Sequence, residues 1–287
     1  MFKKITCGIL VCLSSHFASA QNFYSGSEFG VSGGFTQYFG DLNDEYGFKF
    51  IRPAAGGFAR FHLNPYISVK GSLHWTMVGY DDALSQNPYN VKRNLSFRSH
   101  IIEAVAQAEF NFFRFSTGEI GNRWTPYLTA GAGVFFYSPY AEFNGRRYNL
   151  RDLGTEGQNI GFDDRKYSSL SFCFPVGAGF KYWLRPGLNF GFEIANRLTL
   201  TDYMDDVSTT YVGANFFPNN DPLNPNPAYY LQDRSLEVTP TDPLGRVGKQ
   251  RGNSSTMDQY MMFLFQISFQ LKVYKCPSYM NGVWENY

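Results

Sequence analysis

The sequence predicts an all-β fold: an eight-stranded antiparallel transmembrane β-barrel with long extracellular loops and short periplasmic turns. Three observations predict it. Apolar residues recur at alternate positions in eight separate runs. The connections between runs alternate in length. Aromatics make up 18% of the chain, with 29 Phe and 20 Tyr, as expected where aromatic girdles line two membrane interfaces. The plainest run is residues 260–274, YMMFLFQISFQLKVY. Met261, Phe263, Phe265, Ile267, Phe269, Leu271 and Val273 form an apolar face, and the opposite face turns polar from Gln266 onward. Period two places successive side chains on opposite sides of a strand. About 9–11 residues of tilted strand cross a bilayer, so a run this long with one apolar face suits a barrel wall. A long strand of a soluble sandwich fits this run equally well when it is taken alone. The other runs and their connections favour the barrel.

Taken in order, the chain begins with a secretory signal at residues 1–20. Lys3 and Lys4 precede an apolar core, and Ala18-Ser19-Ala20 is a small-residue cleavage site, so the mature chain starts at Gln21. Val11 before Cys12 does not fit a lipidation signal. The first strand covers residues 28–39, with Phe29, Val31, Gly33 and Phe35 on one face, and a polar loop follows it. The second, 49–62, is interrupted by Pro53 and Gly56-Gly57. Proline lacks the ladder donor, which predicts a bulge or a rim position there. A tight turn at 63–65 leads to the third strand, with Ile67, Val69, Leu73, Trp75 and Met77 on one face. After a polar loop at 81–96, the fourth alternates Ile102, Ala104, Ala106, Ala108, Phe110 and Phe112 with polar residues, and a turn spans 114–124. The fifth strand covers 126–137 and is followed by a long polar loop at 138–167. The sixth carries Leu170 to Tyr182 on its outer face, with a turn at 185–187, and the seventh places Leu188 to Leu200 outward. The longest loop, 202–258, is rich in Pro, Asn and Asp and precedes the eighth strand. An even strand count puts both ends of the barrel domain, 21–274, on one side, with a periplasmic tail at 275–287.

Composition excludes several classes. The net charge is +1, which gives no reason to expect a nucleic-acid partner. After residue 20 no apolar run approaches the ~20 residues of a spanning helix. Cys173 and Cys276 are the mature cysteines; one lies mid-strand and the other past a strand end, so two free thiols are expected. No Cys/His spacing suits zinc, and neither metal nor cofactor is expected. Catalysis is not expected either. His62, His74 and His100 each sit within a strand, and Ser99 beside His100 points to the other face.

The inward positions include Lys70, His74, Glu103, Glu109, Lys181, Glu193 and Arg197. An eight-stranded barrel is just wide enough for side chains to fill it, and an unpaired buried charge is costly. These residues are therefore expected to form a polar lumen network that plugs the barrel, in preference to a narrow channel.

Gly34-Phe35-Thr36-Gln37-Tyr38-Phe39-Gly40-Asp41-Leu42-Asn43, a first strand running into Y-F-G-D-L-N, resembles the PorG-like outer-membrane barrels of the Bacteroidota type IX secretion system. The close of the last strand, Leu271-Lys272-Val273-Tyr274-Lys275-Cys276-Pro277, is similar to that family's end. The resemblance implies an integral outer-membrane protein with no enzymatic activity, structural in protein transport. It implies as partners the outer-membrane lipids and the periplasmic ring built from a lipoprotein and its companion protein, with links to gliding motility in some relatives. The partner-facing surface is then the short turns and the tail, with Cys276, Tyr279, Trp284 and Tyr287 as candidate contacts. Interfacial anchoring is the other role for those tail aromatics. The rival class is a surface barrel binding an external ligand through the loops at 138–167 and 202–258.

Overall fold

The computed structural model of the chain describes residues 26–43, 47–117, 120–219, 221 and 224–270. The predicted signal segment 1–20, the last residues of the eighth predicted strand and the predicted tail 275–287 lie outside these.

Among the described residues nine strands form one sheet: β1 (Ser27–Phe39), β2 (Arg52–His62), β3 (Ile67–Asp81), β4 (Ser96–Asn111), β5 (Trp124–Phe143), β6 (Arg146–Asn149), β7 (Leu170–Arg185), β8 (Leu188–Thr199) and β9 (Gln259–Gln270). Every pairing is antiparallel. The order is β4-β3-β2-β1-β9-β8-β7-β5-β6, and β4 also pairs with β5. That last ladder closes the ring, so eight strands make the barrel wall and β6 stands outside it. β1 and β9 run side by side with Glu28 opposite Gln270, so both described ends leave at one rim.

Period two accounts for the wall. Val31, Leu73, Ile102, Phe172, Val176 and Phe269 are exposed outward, while their neighbours in sequence are buried or point inward. Among the described residues no Asp, Glu, Lys or Arg takes an outward position between the girdles. A ring of aromatics marks the turn end, where Trp124 packs edge-on against Phe113 at 4.9 Å and stacks on Phe180 at 5.9 Å. His100 belongs to the opposite girdle, stacked between Trp75 and Tyr140. An apolar exterior banded by aromatics around a closed ring is the build of a transmembrane β-barrel.

The structure departs from the sequence expectations at the strand ends. β3, β4 and β5 run past the predicted limits, and β5 pairs beyond the wall with β6. The hairpin turn is Asn144-Gly145, both at positive φ (51° and 72°), the two-residue turn whose twist matches paired strands. Residues 138–167 are thus only partly loop. Pro53 is the second residue of β2, at the rim, where its carbonyl accepts from Thr76 Oγ1. The β1–β2 register passes it and Gly56-Gly57 without a break. A register shift falls instead between Trp183 and Arg185. Between β4 and β5, Phe115 is buried across the turn end, its backbone N–H on Pro65 O and its ring 6.3 Å from His62. That connection covers the end of the barrel as well as joining two strands.

Candidate functional site

The lumen holds a closed set of ion pairs. Strand alternation aims Glu28, Arg60, Lys70, Glu103, Glu109, Lys181, Glu193 and Arg197 inward, all of them buried. Four carboxylates face two lysines and two arginines. Glu109 takes three of the cations: Arg60 Nε at 2.8 Å, Lys181 Nζ at 2.6 Å and Lys70 Nζ at 3.5 Å. Arg60 also reaches Glu28 at 2.8 Å, and Lys70 is bound to Glu193. Tyr127 donates to Glu193 at 2.8 Å. One layer nearer the loops, Glu103 receives Arg197 at 3.1 Å, His74 Nδ1 at 3.1 Å and the Tyr260 hydroxyl at 2.6 Å. His62 bridges Glu28 and Ser68, each at 2.9 Å. Burying an ion is tolerated only where partners replace its water. Here each carboxylate has at least two.

All seven residues singled out from sequence lie in this network. Sequence reasoning missed Glu28, Arg60, His62, Tyr127 and Tyr260. Each falls on the inward parity of its strand, which is the signal that finds it. Cys173 is buried in β7 with a free thiol. Cys276, Tyr279, Trp284 and Tyr287 are outside the described residues.

Above the ion pairs the lumen turns apolar, with Ile101, Phe135, Met262 and Leu264 fully buried. Over this layer the loops fold inward as a cap, and the Y-F-G-D-L-N segment fastens it. The Tyr38 oxygen lies 2.6 Å from Asp205 Oδ2 and 2.7 Å from Asp258 Oδ1. A phenol carries one proton. It therefore donates to one carboxyl and accepts from the other, which keeps its own proton. Burial pushes both acids well above the usual carboxylate range, and nearby acids (Asp258 and Asp41 around Asp205, Asp202 and Asp41 around Asp258) push further. Gly40 is required here: a Cβ would sit 1.9 Å from Asp258 Oδ1 and 2.1 Å from the Tyr38 oxygen. Asn43 donates to Tyr38 O at 2.6 Å, and Asp41 Oδ2 accepts from the Asn253 backbone at 2.8 Å.

Two arginines hold the rest of the cap. Arg93 grips Asp82 with two bonds of 2.7 and 2.9 Å and donates to Arg251 O and Asp41 O. Arg251 pairs with Glu156 at 3.0 Å. Seven acids are buried in the cap (Asp82, Glu156, Asp202, Asp205, Asp206, Asp233, Asp258) against these two cations. Burial raises Asp202 to about 8 and Asp206 to about 6.

A closed ring, an apolar banded exterior and a polar packed interior together define an outer-membrane-type barrel fold. Residues 3–216 match the family described as "Domain of unknown function (DUF6089)". The chain belongs to this family. No curated protein sequence matches this DUF6089 chain. Among solved structures it is similar to Ail, the attachment invasion locus protein of Yersinia pestis, in complex with the heparin analogue sucrose octasulfate. That match has 10% identity and a TM-score of 0.41, over 87% of this chain and 100% of Ail. Neisserial surface protein A is similar at 11% identity and a TM-score of 0.40, over 86% of this chain and 98% of that one. OprG from Pseudomonas aeruginosa gives 11% and 0.34, over 86% and 98%.

Proposed function

We propose that this DUF6089 protein is a structural component of the type IX secretion machinery, embedded in the outer membrane and docking the periplasmic ring there. The observation that supports this best is the lumen. Ion pairs from six of the eight wall strands, joined by tyrosine hydroxyls from β5 and β9, cross it, which suits an anchor and leaves little room for a conduit. The likeness of the Y-F-G-D-L-N segment to PorG-like barrels supplies the particular system. On this reading the turn end faces the periplasm and offers the ring the segments at 63–65, 114–124 and 185–187, together with the tail 275–287. The ring lipoprotein and its companion protein are the partners, and the protein performs no catalysis.

The test is site-specific photo-crosslinking in the native cell. A crosslinker at Tyr66 or Arg185, both on the turn end, is expected to capture the ring lipoprotein, and one at Lys249 in the long loop is not. Capture from Lys249 alone, with secretion unharmed by loss of residues 275–287, overturns the reading. In planar bilayers the purified protein is expected to show no steady conductance of porin size.

A further inference from the structure

We propose a second site, independent of ring docking: a pocket at the loop end that binds a short neutral oligosaccharide. It lies between the turn after β1, the helix Pro88–Arg93 and the approach to β9. Its volume is about 590 Å³, inside the ~300–1,000 Å³ range of small-ligand sites.

The lining sets the ligand class. Six carboxamides border the pocket: Asn43, Asn87, Asn90, Gln250, Asn253 and Gln259. Gln250 presents both a donor and an acceptor; the other five each have one side engaged within the protein, leaving the amino group of Asn87, Asn253 and Gln259 and the oxygen of Asn43 and Asn90, a mixed lining that matches hydroxyls that each donate and accept. Asn43 is only 2% exposed, and its Oδ1 is an acceptor with no donor. Tyr89 adds a partly exposed ring on the wall, a flat surface for the C–H face of a pyranose. The two cations in the lining are already committed, Arg93 to Asp82 and Arg251 to Glu156. That leaves no guanidinium in the lining for a sulfate, phosphate or uronate and excludes an anionic glycan as the preferred ligand.

The pocket is also held open by its own walls. Arg93 donates to Asp41 O at 2.9 Å and to Arg251 O at 2.7 Å, and Asn253 N donates to Asp41 Oδ2 at 2.8 Å. The Tyr89 hydroxyl bonds Gln250 O. All three segments are thus tied before a ligand arrives, which lowers the ordering cost of binding.

The full mature chain, in micelles of a detergent without a sugar headgroup, is titrated calorimetrically with four probes: maltotriose, cellotriose, mannotriose and triacetylchitotriose. Sucrose octasulfate serves as the anionic comparison. Saturable binding of at least one neutral probe is expected. Thr256→Trp, which fills the mouth from an exposed lining position, is expected to weaken it at least tenfold. Gln250→Ala is expected to weaken it at least threefold without added bulk. Lys92→Ala, whose ammonium is bound to Asp242, is expected to leave it unchanged. Binding of the octasulfate alone, binding that neither Thr256→Trp nor Gln250→Ala alters, or binding of none of the four neutral probes overturns the assignment. The measurement uses purified protein, so loss of ring docking in cells does not affect it.

Discussion

The lumen and the loop cap are both buried and polar, but they solve the charge problem differently. In the lumen four carboxylates meet four cations, and Glu109 alone faces three. In the cap seven buried acids share two arginines. A balanced set can stay ionised because each charge has a partner. An acid-rich set must keep protons on some of its members, and the Tyr38 bridge between Asp205 and Asp258 shows where one is kept. The difference teaches that the lumen is built for permanence, and that the stability of the cap depends on pH.

The largest effect is expected from Glu109→Ala. It removes a carboxylate from three buried cations and leaves Lys181 with none, while Arg60 keeps Glu28 and Lys70 keeps Glu193; breaking a buried ion pair costs about 3–5 kcal/mol. The urea midpoint of the folded barrel should fall accordingly, or no folded band should survive on unheated gels. A midpoint within error of the parent would mean that the lumen is hydrated and the pairs are not essential. The comparison sharpens with Glu103→Leu combined with Arg197→Met, which removes both partners. Similar-volume apolar replacements of a buried pair are often neutral, so the double variant should recover most of what either single change loses. Next comes Arg251→Ala. Its loss leaves Glu156 unpaired in the cap, at a local cost of roughly 2–3 kcal/mol for hydrogen bonds to charged groups. Tryptic cleavage within residues 202–258 should speed up severalfold, while the urea midpoint of the barrel barely moves.

A smaller effect is expected from pH. The cap acids have folded-state pKa values above their unfolded ones, Asp202 at about 8 and Asp206 at about 6. The folded cap therefore binds more protons than the open one. Its stability is full below the unfolded pKa of about 4 and is lost as pH rises through 6 and 8. Cleavage in the long loop, normalised to a denatured control at each pH, should increase from pH 5 to pH 9. Asp202→Asn with Asp206→Asn should flatten that profile; a flat profile in the parent chain would remove the distinction drawn between lumen and cap. The smallest effect is expected at the exposed pair Lys92–Asp242, where Lys92→Ala should change neither measurement.

The wall was legible because bilayer-facing burial forces period two, and that period survives in every wall strand except the first half of β2. The inward charges came with it, since the parity that puts Phe180 outside puts Lys181 inside. What the sequence hides is who pairs with whom. Lys70 and Glu193 lie far apart in the chain and meet only because the ring closes. Arg60 escaped notice because Pro53 and the two glycines obscure the alternation of β2, although its backbone ladder is unbroken. The extension of β5 was hidden for another reason. Above the membrane rim both faces are packed or wetted alike, so residues such as Tyr137, Ser138 and Tyr140 carry no alternation to read. The acids of the cap have no period at all, and nothing local in the run from Asp202 to Asp206 tells a buried aspartate from a solvated one.

The pairing of β1 with β9 also fixes an order of assembly. The first strand made must wait for the last, so a chain halted before Gln259 is a curved sheet with β1 and β8 as open edges, a template for misassociation. Asp258 stands one residue ahead of β9 and reaches Tyr38 only when that strand docks. The seal over the lumen therefore sets at the moment the cylinder is completed, and a protease-resistant long loop would report finished biogenesis.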